Sequence, residues 1–474
     1  MTAMTVRTLE ASTQIIPQDK VAALRGKLRG TLALPGEDGY DAARSIWNAM
    51  IDRRPGLVVR CLGAADVIHA VKLARDEKLL VAVRAGGHNI AGNAVCDGGL
   101  LIDLSMMKSV RVDPASRTAR VEPGATLADF DKEAQGFALA TPLGINSTTG
   151  VAGLTLGGGF GWTTRKFGLT IDNLVSADVV TADAKLVRAS EKENPDLFWA
   201  LRGGGGNFGI VTSFEFKLHP LGPEVLSGLL VHPLDNAGGL LREYRRIAKE
   251  APDELTTWVV MRKAPPLPFL PAEWHGKEVL IFAACYSGDM TEGEKAVKAL
   301  RALGKPIVDV ISPHPFTGWQ AAFDPLLTPG ARNYWKSHDF SDLPDAAINV
   351  MLDAVRKLPS PESEVFIAHV GGAMARVAAD ATAWPNRDAH FVMNVHTRWR
   401  DKAQDSACVA WARQLFEASA PFASGSVYVN FMPADESDRI EKAYGPNYRR
   451  LAEIKRRYDP GNLFRMNQNI RPAR

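Results

Sequence analysis

Three glycine clusters within the first 210 residues constrain this chain more than any other feature: "RAGGHN" from Arg84, "GVAGLTLGGGFGW" from Gly150 and "RGGGGNFG" from Arg202. Glycines let a backbone pass where side chains would collide, so a cluster marks a close approach by another group. Successive unhindered N–H groups form concavities for anions, and a pyrophosphate occupies several at once. A dinucleotide site is the expectation. Gly204, Gly206 and Gly209 formally satisfy G-x-G-x-x-G, but a helical stretch ("ENPDLFWALR") precedes them and the strand-like "IVTSFEFKL" follows. That order reverses the strand–loop–helix of a nicotinamide-binding fold. No P-loop motif is present.

At 474 residues the chain outgrows one typical core, so two domains, or one with a large insertion, are expected. Lys plus Arg number 56 against 53 Asp plus Glu, with no basic block, so no nucleic-acid partner is expected. The N-terminus shows no apolar signal region and no 18 apolar residues run together, which predicts a cytoplasmic enzyme without a membrane partner. Cys61, Cys96, Cys285 and Cys408 are far apart, so buried thiols are expected and no metal site.

"LVVRCL", "GAADVIHAVKLARDEK" and "LLVAVR" read as strand, helix and strand, followed by the His88 loop and a further strand in "GLLIDLS". "VRVD" and "ARVEPGA" read as short paired strands, and "TLADFDKEAQGF" as a helix. From about 221 to 425, long helical stretches ("AGGLLREYRRIAKE", "TEGEKAVKALRAL", "DAAINVMLDAVRKL") alternate with strands ("EVLIFAACY", "EVFIAHVG", "HFVMNVHTRW"), predicting an α+β region with an antiparallel sheet. The last 45 or so residues return to Asn-rich sequence punctuated by Pro and Gly.

Taken together, "RAGGHNIAG", "GLLIDLSMM", "GVAGLTLGGGFGWTTRKFGLTIDNL", "ENPDLFWALRGGGGNFGIVT" and "YGPNYRRLAEIKRRYDPGNLFRMNQNI" resemble the berberine-bridge-enzyme-like flavoproteins of the vanillyl-alcohol-oxidase superfamily, in order from about residue 54 to the end. The layout also resembles that family's bacterial 6-hydroxynicotine oxidase and antibiotic-tailoring branches. The resemblance implies an α+β fold: a PCMH-type FAD-binding domain in residues 1–220 (core from about 54), an inserted substrate domain in 221–425, and a segment 426–474 completing the FAD domain. It implies FAD bonded covalently to His88, the histidine of the "GGH" motif, with Arg84, Ala85, Gly86, Gly87, Asn89 and Gly92 around it. Further cofactor contacts carried over are Gly144 and Asn146; Gly150, Gly153, Leu154, Gly157, Gly158, Gly159, Gly161 and Trp162; Gly209, Ile210 and Val211; and Asn467 and Asn469. Asn146 stands where many relatives carry a second flavin-linking cysteine. An amide cannot form that thioether, so a single link is expected. Gly144 matches a position whose small size in the family admits O2, which favours an oxidase, although a plain turn glycine explains it equally. Leu154 replaces a polar residue that in plant members lies near flavin N1, so another group must serve there.

"SVYVNFM" resembles the family's Y-x-N strand, which points to Tyr428 and Asn430, with Tyr428 as candidate base or as an ordinary half-buried strand aromatic. On "HFVMNVHTRW", His390, Asn394, His396 and Arg398 share one face, which either roofs the flavin and binds substrate or faces solvent. His369 shares that ambiguity, and "RNYWKSH", with Tyr334, Trp335 and Lys336, reads as a ring-binding pocket or as core. The expected activity is transfer of a hydride from an alcohol, amine or activated C–H of a small molecule (secondary metabolite, alkaloid or oligosaccharide), with O2 as acceptor. A flavin dehydrogenase using another acceptor, a non-catalytic flavin or carbohydrate binder and a nicotinamide-dependent reductase are the rivals.

Overall fold

A computed structural model describes residues 4–474. The first sheet grows from the expected strand–helix–strand unit. Leu57–Arg60 and Val81–Arg84 both pair in parallel with Leu100–Asp103, which lies between them, and Thr31–Ala33 adds an antiparallel edge. The helix Ala64–Asp76 buries Val67, Ala70, Val71 and Ala74, a spacing of three, one and three that makes one apolar stripe. This helix and the strands form one apolar cluster. At the ends of two adjacent strands, buried Asp103 takes both Arg84 Nη2 (2.6 Å) and Nε (3.1 Å). The sheet thus delivers the chain, in a fixed direction, into the His88 loop.

A second, antiparallel sheet runs Leu186–Ser190, Leu174–Val180, Ile210–Lys217, Thr118–Val121 and Val110–Asp113. Its companion helix Leu127–Gln135 starts at a reciprocal cap, Thr126 with Asp129. Val427, Val429, Met432, Leu451, Ile454 and Ile470 pack into the same core as residues 119–218. The tail is pinned there by Lys455, fully buried, whose ammonium donates to Asp459 Oδ2 (2.6 Å) and to the carbonyls of Asn207 (2.6 Å) and Phe464 (3.1 Å).

The middle of the chain forms an antiparallel sheet that is eight-stranded among the described residues. Its order is Val308–Asp309, Glu224–Pro233, Glu278–Tyr286, Leu255–Lys263, Glu364–His369, Phe391–Trp399 and Arg332–Phe340, with Ser312–Pro315 also pairing to Glu224–Pro233. Alternate residues of these strands, among them Val259, Met261, Leu280, Phe282, Met393 and Val395, share a core with the helices Ala237–Glu250, Met290–Arg301, Asp345–Val355 and Asp405–Ser419. Both faces of Phe391–Trp399 are buried, so its polar side chains do not face solvent; His390, one residue before it, is exposed. No described helix is long and apolar enough to cross a membrane.

One expectation fails. The Y-x-N segment is no strand: Val429–Phe431 is a single 3-10 turn. Instead of a ladder partner, the side chain of Gln468 meets the carbonyls of Val429 (3.3 Å) and Met432 (3.2 Å). The Gln468 side chain satisfies these backbone acceptors in place of a neighbouring strand, which overrides the β-branched and aromatic composition.

Lys455→Met removes a buried cation and leaves the Asp459 carboxylate without a counter-charge, held only by the N–H groups of Leu463 and Phe464 (both 2.8 Å). It is expected to cost about 3–5 kcal/mol, measured as a lower urea midpoint, whereas breaking the exposed Arg449–Glu453 pair should shift the midpoint little.

Candidate active site

A cavity of about 750 Å³ opens between the glycine loops and the inner face of the large sheet. On the loop side, two backbones touch: a Cβ built on Gly86 would lie 2.5 Å from Gly150 Cα and N, and one on Gly150 would lie 2.6 Å from Gly86 N. No other residue type fits either position. Gly153 and Gly206 line the cavity in the opposite situation, since a Cβ there would meet no protein atom within 4 Å. Open space therefore reaches the bare backbone, a cradle for a long ligand that lies against the main chain.

Of the residues singled out from sequence, Ala85, Gly86, Gly87, His88, Asn89, Gly144, Asn146, Gly150, Gly153, Leu154, Gly157, Trp162, Gly209, Ile210, Val211, Asn467, Tyr428, Asn430, Trp335 and His396 line this one cavity. Others stand outside its wall. Arg84 is spent on Asp103 and on the Ser45 carbonyl (2.8 Å). Gly92 gives its carbonyl to Arg53 (2.7 Å). Gly158 packs against Trp384, Gly159 against Thr170 and Gly161 against the Leu143 carbonyl, so these glycines shape the loop from behind. Asn469 does not reach the wall, and Asn394 is fully buried without joining it. Tyr334 donates to Asp435 Oδ2 (2.7 Å), Lys336 pairs with Glu436 (2.7 Å), and His369 Nε2 lies 2.9 Å from Arg165 Nη1. Tyr334 and His369 thus do not contact the cavity, because each already has a partner elsewhere.

His88 stacks on Trp47, ring centroids 5.1 Å apart and planes 19° from parallel, with Nε2 3.3 Å from Thr148 Oγ1. Burial pulls its pKa down to about 4, so the imidazole is neutral at ordinary pH and has a free lone pair. Asn146 is occupied locally: its Oδ1 accepts from Thr148 N (3.1 Å) and Thr148 Oγ1 (2.8 Å).

Tyr428 is buried beside Phe160 (4.7 Å) and Phe431 (4.9 Å). Its oxygen accepts from Gly159 N (3.2 Å) and Asn430 Nδ2 (2.8 Å). Burial outweighs these two bonds and pushes the phenol up to about 12. Tyr428 is therefore a neutral phenol whose oxygen is engaged as acceptor and whose O–H is available to donate, the reverse of what a base requires.

The sheet side carries a feature the sequence analysis missed. Strand register sets Arg262 opposite Glu364, Glu364 opposite His396, and His396 opposite Trp335, one cavity-facing row across four adjacent strands. Around it stand Trp258, Val260, Ile281, Phe366 and Phe431, with Trp47, Trp162 and Trp319 closing the walls. The alternation in "LTTWVVMRK" already placed Trp258, Val260 and Arg262 on one face. Only the register shows that this face meets Glu364 and His396.

Two family models match the chain: an FAD binding domain over residues 55–190 and a berberine and berberine-like segment over residues 427–471. The (R)-6-hydroxynicotine oxidase of Paenarthrobacter nicotinovorans is 32% identical over 458 residues, covering 94% of this chain and 97% of that protein. Among solved structures, 6-hydroxy-D-nicotine oxidase from Arthrobacter nicotinovorans superimposes with a TM-score of 0.85 at 30% identity, covering 94% of this chain and 98% of that one. The xylooligosaccharide oxidase of Myceliophthora thermophila gives 0.83 at 26% identity, over 96% and 99% of the two chains. With its α+β architecture, its glycine cradle and the order of its motifs, the chain belongs to the berberine-bridge-enzyme-like family of FAD-linked oxidoreductases.

Proposed function

We propose that this enzyme is an oxidase that carries FAD on a single covalent link at His88 and oxidises an alcohol or amine that carries a planar aromatic ring. The observation that carries the reading is the division of one cavity into a bare-backbone side and an aromatic side. The residues fit the cofactor. Gly153 and Gly206 leave room along the main chain, the Gly86–Gly150 contact holds two loops together at the wall, and His88 presents a neutral imidazole. FAD, when bound, supplies hydride acceptance and passes its electrons on, in this reading to O2.

The chain's own residues supply the rest. Phe160, Trp258, Phe366, Trp335 and Phe431 offer faces and edges for a planar ring and keep water away from it. The Tyr428 O–H donates a hydrogen bond to the substrate's heteroatom, and Asn430 Nδ2 and Gly159 N hold the phenol oxygen in place. Gly144 lines the cavity without a side chain; a Cβ there would press Leu154 Cδ1 at 2.8 Å and Leu127 Cδ2 at 3.3 Å, so packing at the wall demands the glycine, and O2 as acceptor rests on the likeness to oxidases. An oligosaccharide, with a hydroxyl on nearly every carbon, would leave most of them unpaired against these apolar walls.

Turnover in air should release one peroxide per molecule of an alcohol or amine that carries a planar aromatic ring, and none with xylobiose. Product formed only with a dye acceptor would identify a dehydrogenase, and turnover of xylobiose alone would overturn the substrate class. Acid-precipitated wild-type protein is expected to stay yellow, while His88→Ala releases its colour to the supernatant; a colourless wild-type pellet would refute the covalent link. A Cβ added at Gly153 meets no protein atom within 4 Å, so Gly153→Leu should fold with a stability change within about 0.5 kcal/mol, yet be purified largely without flavin absorbance.

A further inference from the structure

His396 presents an unpartnered Nε2 at the cavity. Its Nδ1 lies 2.9 Å from Glu364 Oε1, and the other carboxylate oxygen receives Arg262 Nη1 at 2.7 Å. Burial alone would raise the Glu364 pKa, but the Arg262 charge and the bond from His396 outweigh it and hold the carboxyl at about 2. An ionised carboxylate only accepts, so Nδ1 carries the proton of this contact, and in the ring's neutral form the lone pair falls on Nε2. That atom is buried and has no hydrogen-bond partner among the described residues. Trp335 (4.8 Å) and Phe366 (6.2 Å) hold the ring edgewise at the wall. The charged groups around it are compensated: Arg262 pairs with Glu364, and Arg398 and Arg400 share Glu362 (both 2.9 Å). Tyr428, connected through Phe431, is the neutral phenol described above.

Building on the oxidase reading, we propose that His396 Nε2 takes the proton from the substrate's hydroxyl or amine, and that Glu364 is the positioning residue that fixes the ring's tautomer. The O–H or N–H bond breaks and its proton passes to Nε2. The neighbouring carbon loses a hydride to the cofactor, and the substrate, two electrons poorer, gains a C=O or C=N bond. His396 and Tyr428 then divide the work, one accepting a proton and the other donating a hydrogen bond.

Long-range proton–nitrogen correlation spectra of the flavin-loaded protein, with His396 assigned by the signals lost in His396→Gln, read the tautomer directly. Expected at neutral pH are a protonated Nδ1 and a bare Nε2, with this preference lost in Glu364→Gln; a protonated Nε2 in the wild type would overturn the assignment. With the best aromatic substrate from the peroxide screen, anaerobic flavin reduction should lose about 100-fold in His396→Asn, together with the acid limb of its pH profile. A variant that keeps both rate and limb would overturn the proposal. The tautomer is read without substrate, so a failed substrate screen, which counts against the oxidase reading, is distinct from a failed assignment of His396.

Discussion

The contact between Gly86 and Gly150 is the constraint on which the site depends. Two backbones meet there with no space for a methyl group, which sets the His88 loop against the start of the helix Val151–Leu156. From that point the wall of the cavity runs one way along Gly153 and Gly157 and the other way to His88 and Trp47. Overpacking either glycine would force apart two main-chain segments, neither of which can give way as a flexible side chain does.

The large sheet answers this cradle with chemistry arranged by register. Its period of two puts apolar residues against the helices and leaves Arg262, Glu364, His396 and Trp335 in a row at the cavity. Two buried charges and an imidazole are tolerated there because each satisfies the next: the guanidinium and Nδ1 both donate to one carboxylate. A one-residue slip of the strand Phe391–Trp399 would exchange His396 for Val395 and dismantle the row, so the packing of the sheet on its helices also maintains the site.

Much of this was legible in the sequence, and the reasons differ from element to element. Helices such as Ala237–Glu250 and strands such as Glu278–Tyr286 matched their patterns closely, because amphipathic periodicity records which face is buried. The glycine clusters predicted a cradle, and most of their residues line it. Tyr428 was misread as a strand residue because composition cannot reveal that Gln468 would take the carbonyls on either side of the turn. Tyr334 and His369 were misplaced because their partners, Asp435 and Arg165, lie 101 and 204 residues away along the chain. Glu364 gave no signal of its own; its role exists only across the ladder.

A crystal structure of the flavin-loaded protein tests the site most directly. It predicts continuous density from the His88 imidazole to the flavin ring, the dinucleotide lying along Gly153 and Gly206, and the ring between that backbone and the His396 row. Flavin density separate from His88, or lying away from the bare-backbone wall, would contradict it.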